Sequence, residues 1–146
     1  MKIALVHDIA EALVGDITPP ESSGISENTK HALEEEAFKK IASYLLLDQN
    51  NTDDSNEENT KLGKELQSYY QEYMDQKTKE GQLCKQFDKL EMIIQAYEYE
   101  SSQGVVLDTF YKSTMNSFKH PYLQQVHAEL LKRRQALLDS REQSKD

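Results

Sequence analysis

The spacing of apolar residues predicts an all-α fold for this chain. Along most of its length these residues recur three and four positions apart, as on the buried face of a helix, rather than two apart as in a strand. Only three prolines and five glycines interrupt the 146 residues, so few positions break a helix. A chain of this length fits one domain of ordinary size, which we predict at residues 1–140, with a frayed tail at residues 141–146.

The first two helices are predicted from their apolar faces and their ends. The first covers residues 3–14, with Gly15 as its C-terminal cap and Asp16 just beyond it. A loop at residues 17–24 contains two adjacent prolines and a Ser-Ser-Gly run, and Ser26 is expected to cap the second helix. The residues that these two helices are predicted to bury are Ile3, Val6, Ile9, Ala10, Leu13, Leu33, Ala37, Ile41, Tyr44 and Leu45.

After the second helix, the pattern predicts one loop and four further helices. Residues 48–60 (DQNNTDDSNEENT) are predicted to form a flexible acidic loop, because they bury too little apolar surface to offset the entropy cost of ordering. Two helices follow, with apolar faces at Leu62, Leu66, Tyr69, Tyr70 and Tyr73 and at Leu83, Phe87, Leu90, Ile94 and Tyr97. Two closing helices are predicted at residues 105–118 and 121–139, and Pro121 suits the first turn of the second.

The charge balance limits the classes of partner. With 17 Lys and Arg against 26 Asp and Glu, the net charge of -9 argues against broad binding to a nucleic-acid polymer or to an anionic membrane surface. The sequence has no apolar run long enough to span a membrane. The single cysteine, Cys84, cannot form an internal disulfide, so we expect a reducing compartment.

Four polar residues lie in the otherwise apolar segment near the start of the chain: His7, Asp8, Glu11 and Asp16. On a helix, His7 and Glu11 stand one turn apart on one face, and Asp8 and Glu11 form an i, i+3 pair. Imidazole and carboxylate groups suit a hard or borderline divalent cation, which would hold a phosphate oxygen and lower the pKa of a bound water. A His-Asp dipeptide is also compatible with a helix cap or a surface pair.

Asp88 interrupts the apolar face of the fourth predicted helix, where a buried carboxylate needs a partner. Lys85, one turn earlier, is placed to form an ordinary i, i+3 salt bridge with it. A metal ion shared with His7 and Asp8 is the other interpretation. The residue pattern leaves both open.

Several segments carry a resemblance to a known family. The sequence HDIAEALVGDITP at residues 7–19, KQFDKLEMIIQA at residues 85–96 and EYE at residues 98–100 resemble the HD-domain metal-dependent phosphohydrolases, most closely their 5'-deoxynucleotidase branch. Shorter matches elsewhere are Lys30-His31 with the acidic run at residues 34–36, Phe110-Tyr111 with Ser113, and Phe118 with His120-Pro121. The resemblance therefore covers nearly the whole chain.

The resemblance implies an HD-domain helical bundle that holds one divalent metal ion, such as manganese, cobalt or magnesium. His7, Asp8 and Asp88 match three of the four metal ligands of the family pattern. The remaining ligand of that pattern is a histidine on a helix upstream of the His-Asp pair. The chain is therefore expected to be truncated at its N-terminus relative to the family.

Other residues of the pattern concern catalysis and substrate. Glu11 and Asp16 match two further acidic positions, which the resemblance implicates in proton transfer or in orienting water and substrate. The other interpretation of Asp16 is a plain turn residue. Lys89 is placed to offset phosphate charge, and a surface salt bridge with a neighbouring carboxylate is an equally good interpretation. The acidic run at residues 34–36 is interpreted as a solvated face.

The activity implied by the resemblance is hydrolysis of a deoxyribonucleoside 5'-monophosphate to the deoxynucleoside and phosphate. The resemblance also implies a homodimer, in the cytoplasm and as a second option in the nucleus. An alternative hypothesis is a truncated, catalytically silent HD-domain protein that serves as a binding or dimerisation module. It is motivated by the missing ligand, because loss of a ligand weakens metal affinity.

Overall fold

The prediction of an all-α fold is confirmed. The computed structural model describes residues 1–46 and 55–143, with residues 45, 46 and 55–60 described by their backbone alone, and within these ranges it contains helices and turns but no strand. The helices are α1 (Lys2–Val6), α2 (Glu11–Val14), α3 (Pro20–Ser23), α4 (Glu27–Leu46), α5 (Ser55–Asp75), α6 (Lys79–Gln103), α7 (Asp108–Thr114) and α8 (Pro121–Gln143). None of these helices is long and apolar enough to cross a membrane.

The chain forms two compact units, Met1–Cys84 and Lys85–Asp146. In the first unit, α4 and α1 each pack against α5, and α2 packs against α4. The buried residues of the cluster where α2, α4 and α5 meet are Ala10, Ala37, Phe38, Ala42 and Tyr70. The rings of Phe38 and Tyr70 stack with their centroids 4.0 Å apart, which joins α4 to α5.

The prediction of one continuous helix over residues 3–14 is wrong. Helix α1 ends at Val6, and the backbone passes through a turn at residues 7–10 before α2 begins at Glu11. The reason is a tighter hydrogen-bond spacing, because the amides of Ile9, Glu11 and Ala12 each donate to a carbonyl only three residues back. The break leaves Leu13 49% exposed instead of buried.

The ends of the first helices follow the prediction more closely. Gly15 closes α2 with φ of 74° and donates its N–H to the carbonyl of Glu11, a conformation that favours glycine. The hydroxyl of Ser26 accepts the N–H of Thr29 at 3.2 Å, which confirms Ser26 as the cap of α4. The loop predicted at residues 17–24 instead contains the single turn of α3.

The buried faces of the long helices are rotated from the predicted ones. In α4, Phe38 and Ala42 are buried, whereas Tyr44 is 61% exposed. In α6, Ile93 is fully buried, whereas Phe87 is 50% exposed. Each helix carries apolar residues on more than one side, so spacing alone does not decide which side faces the core.

The segments predicted to be flexible overlap in part with described helices. Of the acidic loop predicted at residues 48–60, residues 48–54 lie outside the described residues, while residues 55–60 form the first turns of α5. Of the tail predicted at residues 141–146, residues 141–143 belong to α8, and residues 144–146 lie outside the described residues. Helix α8 begins at Pro121 as predicted.

A buried carboxylate organises the second unit. Glu100, on α6, is fully buried, and Arg134 of α8 donates to both of its oxygens at 2.8 Å. The N–H of Leu107 and the hydroxyl of Tyr111 also donate to this carboxylate, at 2.7 and 3.2 Å. Burial alone would raise the pKa of Glu100, but these hydrogen bonds and the Arg134 charge outweigh it and lower the pKa.

The same network extends to the ends of α7 and α8. Arg134 also contacts the carboxylate of Asp108 at 2.5 Å, and its guanidinium lies 4.0 Å from the centre of the Tyr111 ring. Arg141 donates to the carbonyls of Glu100 and Val105. These contacts join the last described turn of α8 to the segment that follows α6.

We predict that Glu100→Gln lowers the free energy of unfolding by about 3 kcal/mol, because the Arg134 guanidinium then keeps only the exposed carboxylate of Asp108 as a counter-charge. Urea unfolding followed by circular dichroism measures the change. Glu98→Gln, at an exposed position of the same helix, is the matched control and is expected to shift stability by less than about 0.5 kcal/mol. Equal stabilities of the two variants would contradict the prediction.

Candidate active site

The structure brings the first two predicted metal ligands together in the turn between α1 and α2. The Nε2 atom of His7 lies 2.9 Å from Oδ2 of Asp8. The side chain of His7 is 17% exposed, whereas that of Asp8 is 54% exposed. The imidazole of His7 is therefore mostly buried in the first unit, whereas the carboxylate of Asp8 is exposed to solvent.

The orientation of His7 is fixed by two neighbours. Its Nδ1 lies 2.9 Å from the carbonyl oxygen of Ala4, and because a carbonyl only accepts hydrogen bonds, Nδ1 carries the proton. The ring of Tyr73, from α5, meets the imidazole edge-on with the centroids 5.1 Å apart. The backbone thus sets the tautomer, and Tyr73 limits the tilt of the ring.

This tautomer determines what can lie between His7 and Asp8. With Nδ1 protonated, a neutral imidazole presents the lone pair of Nε2 to the carboxylate of Asp8. Two electron-rich atoms at 2.9 Å repel unless a second proton or a cation lies with them. The donor types, their separation and this tautomer all fit a divalent cation bound by His7 and Asp8.

Glu11, at the start of α2, has the most perturbed carboxyl group of this cluster. Its partial burial, and after it the carboxylates of Asp8 and Asp16, raise its pKa to about 7. The ammonium of Lys30 opposes this shift, and the carboxylate of Glu34 adds to it. The Glu11 carboxyl can therefore gain or lose a proton near neutral pH. Asp16 follows Gly15, and its side chain is exposed to solvent.

Lys30 and Glu34 of α4 were noted in the sequence as part of the resemblance but without a role in the site, and the charges of both act on the Glu11 carboxyl. The ammonium of Lys30 donates to the carbonyl of Ile17 at 2.8 Å and lies 3.5 Å from Oε1 of Glu34. The Glu34 side chain is only 13% exposed, so the interpretation of the whole acidic run as a solvated face is wrong at this position. The i, i+4 spacing of Lys30 and Glu34 predicts their pairing, but no local pattern predicts the contact with Ile17.

The described parts of the chain, residues 1–46 and 55–143, contain no group of three or more His, Cys, Asp or Glu side chains arranged to hold a metal ion. His7 and Asp8 thus supply a pair of donors rather than a complete site. A cation held by this pair needs further ligands from water, substrate or other protein groups. The fit of the chain to a metal rests on the chemistry of these two donors.

The remaining predicted site residues belong to the second unit. Asp88, on α6, forms an ion pair with Lys85, in which Nζ and Oδ2 lie 3.1 Å apart. Both side chains are less than a third exposed. The ordinary salt bridge that the spacing allowed is therefore present. Lys89, one residue further, is half-buried. The assignments of Asp88 as a metal ligand and of Lys89 as a phosphate contact remain predictions.

The comparison with known proteins identifies the family. A family model described as an HD domain matches residues 1–130, so this chain belongs to the HD-domain family. The resemblance found in the HDIAEALVGDITP and KQFDKLEMIIQA segments is thereby confirmed at the level of the family. The helical fold agrees with this membership.

Several curated relatives share one printed name, 5'-deoxynucleotidase HDDC2. The chain is 40% identical to that of Mus musculus over 138 residues, which covers 93% of this chain and 62% of the relative. It is 40% identical to that of Homo sapiens over 132 residues, covering 89% and 57%, and 38% identical to that of Dictyostelium discoideum over 135 residues, covering 89% and 63%. The chain therefore spans 57% to 63% of the length of these relatives.

We predict that Glu11 contributes stability to the metal-free protein that is lost as the pH rises between about 5 and 7, and that Glu11→Gln removes this contribution. The pKa of Glu11 in the folded state, about 7, lies above the ordinary value of 4.5, so the folded state binds more protons in this window. The Glu11 contribution to stability is therefore fully present below the window and lost across it. Partial exposure limits the expected effect to about 1–2 kcal/mol.

Urea unfolding at pH 5 and pH 8, with a chelator present, measures this difference. Glu21→Gln, at an exposed position of α3, is the matched control and should keep the pH dependence of the unaltered chain. A Glu11→Gln variant with the same pH dependence as the unaltered chain would show that the Glu11 carboxyl is not perturbed.

Proposed function

We propose that this chain carries the HD domain of a metal-dependent phosphomonoesterase that hydrolyses deoxyribonucleoside 5'-monophosphates to deoxynucleoside and phosphate. The observation that carries the proposal is the His7–Asp8 pair, in which Nε2 and Oδ2 lie 2.9 Å apart. The carboxyl of Glu11, with a pKa of about 7, belongs to the same cluster. The printed name of the relatives supports the reaction and the substrate class. An acidic protein needs a local cation to accept such an anionic substrate.

His7 and Asp8 would hold the divalent metal, with Asp88 as a further ligand by the family pattern. Proteins of the HD-domain family generally depend on divalent metals. When bound, such an ion neutralises phosphate charge and lowers the pKa of a coordinated water. Manganese, cobalt and magnesium are the candidates to test.

The other residues of the cluster would act on protons and on position. A carboxyl with a pKa of about 7 can accept a proton from the attacking water and return it to the leaving 5'-oxygen, which is the role we assign to Glu11. Asp16, at the end of α2, would orient water or substrate. Lys89 would offset part of the phosphate charge.

We also propose a homodimer and a location in the cytoplasm, with the nucleus as a second option. The dimer rests on the family resemblance alone, and size-exclusion chromatography with light scattering tests it. The location agrees with the single cysteine, which suits a reducing compartment.

The activity is tested by phosphate release from the four deoxyribonucleoside 5'-monophosphates, with manganese, cobalt or magnesium added to the chelated protein. We expect metal-dependent release that Asp8→Asn reduces at least about a hundredfold, because it removes a charged ligand. Glu36→Gln, an exposed carboxylate of α4 outside the cluster, is the control and should retain activity. No release with any of the metals, together with a folded protein, would favour the catalytically silent alternative.

Glu11→Gln separates the proton-transfer role from metal binding. We expect kcat to fall by about a hundred- to ten-thousandfold, because an amide cannot accept the proton. The acidic limb of the kcat profile, which follows ionisation of this carboxyl, should also disappear from the residual activity. Metal affinity measured by calorimetry should change much less than in Asp8→Asn, and an equal loss in both variants would contradict the assigned role.

A further inference from the structure

Lys30 makes a contact that connects α4 to the turn carrying Asp16. Its ammonium donates to the carbonyl of Ile17 at 2.8 Å, although the two residues are 13 positions apart in the chain. We propose that Lys30 is a positioning residue, which holds the turn after Gly15 so that Asp16 keeps a fixed place beside Glu11. This inference rests on the proposed function, because it assigns a role in the same site.

The first step of the argument is that Lys30 itself is held in place. It lies in the first turns of α4, a helix of 20 residues whose N-terminus is capped by Ser26. Its Nζ lies 3.5 Å from Oε1 of Glu34, one turn further along. The Lys30 side chain is only 25% exposed, so it lies against protein along much of its length. Because the Lys30 side chain is held against α4, its ammonium can hold the carbonyl of Ile17 at a fixed position relative to that helix.

The second step is that the turn has little other backbone support. Among the described residues, the hydrogen bonds between backbone groups in this region stop at Gly15, which donates to Glu11, and resume at Ser22, which donates to Pro19. Ile17 lies between these points, and its carbonyl is satisfied by the Lys30 side chain. Loss of that donor leaves a partly buried carbonyl without a partner and frees the segment.

The third step is electrostatic. Glu11 and Asp16 repel one another, and the carboxylates of Asp8 and Glu34 add to this repulsion at Glu11. The Lys30 ammonium is the positive charge that opposes them there. A cation that also grips the backbone next to Asp16 can therefore hold this turn close to Glu11 against the repulsion.

The contacts of the ammonium favour a positioning role over direct contact with the substrate phosphate. Its N–H groups point to the carbonyl of Ile17 and to the carboxylate of Glu34, both of which belong to the protein. A phosphate ligand would have to compete with these two acceptors. Lys30 is therefore expected to act through the turn, and its removal should affect kcat more than KM.

The test compares Lys30→Met, Lys30→Arg and the control Lys39→Met by amide hydrogen exchange and by kinetics. Lys39 forms a similar i, i+4 pair with Glu35 on the same helix, but its side chain is 64% exposed. In Lys30→Met, we expect exchange of the hydrogen-bonded amides of Gly15 and Ser22, which flank the turn, to accelerate at least about tenfold, as for a segment that opens locally. We expect kcat to fall about ten- to a hundredfold, with KM changed less than about threefold, because a small displacement of a catalytic group costs this much.

Lys30→Arg keeps a donor and a charge and should restore most of both readouts, while Lys39→Met should match the unaltered chain. If Lys30→Met does not fold, Glu34→Gln loosens the anchor but retains the Ile17 contact, and it should give a smaller change in the same direction. Unchanged exchange in Lys30→Met, or a rise in KM with constant kcat, would overturn the proposal. An unaltered chain that releases no phosphate would contradict the proposed function instead, since the exchange measurement still decides whether Lys30 holds the turn.

Discussion

A carboxylate that leaves water must find a positive partner, and both units of this chain are organised by that requirement. In the second unit, Glu100 is fully buried and receives donors from Arg134, Tyr111 and the backbone of Leu107. Its pKa is lowered despite burial, so it stays charged and ties α6, α7 and α8 together. Compensation is nearly complete there, and the result is a structural element.

In the first unit the same requirement is met only in part. Glu11 is partly buried beside Asp8, Asp16 and Glu34, with the ammonium of Lys30 opposing them, and its pKa rises to about 7. His7 adds a nitrogen donor to this cluster, because its Nε2 lies 2.9 Å from Oδ2 of Asp8. A cluster with this excess of negative charge favours a cation and a shared proton. The incomplete compensation is what makes this cluster suited to chemistry.

The break between α1 and α2 shapes this cluster. On one continuous helix, His7 and Glu11 would project from the same face, one turn apart. The tighter turn at residues 7–10 instead places His7 at the end of α1, where Ala4 orients it, and Glu11 at the start of α2. The backbone thus gives each group its own local environment. This agrees with the different roles that we propose for the two groups, metal binding for His7 and proton transfer for Glu11.

The sequence by itself determined the features that depend on neighbours within a few residues. Helical spacing, the Ser26 cap and the Gly15 end follow from local rules, and the HDIAEALVGDITP and KQFDKLEMIIQA segments together indicated the family. Tertiary structure decided which helix faces are buried and which distant groups meet. The contacts of Lys30 with Ile17, Arg134 with Glu100 and His7 with Tyr73 depend on how helices pack, and side-chain volume and charge satisfaction across the whole unit set that packing. The local spacing of residues does not predict these contacts, because the partners lie many residues apart in the chain.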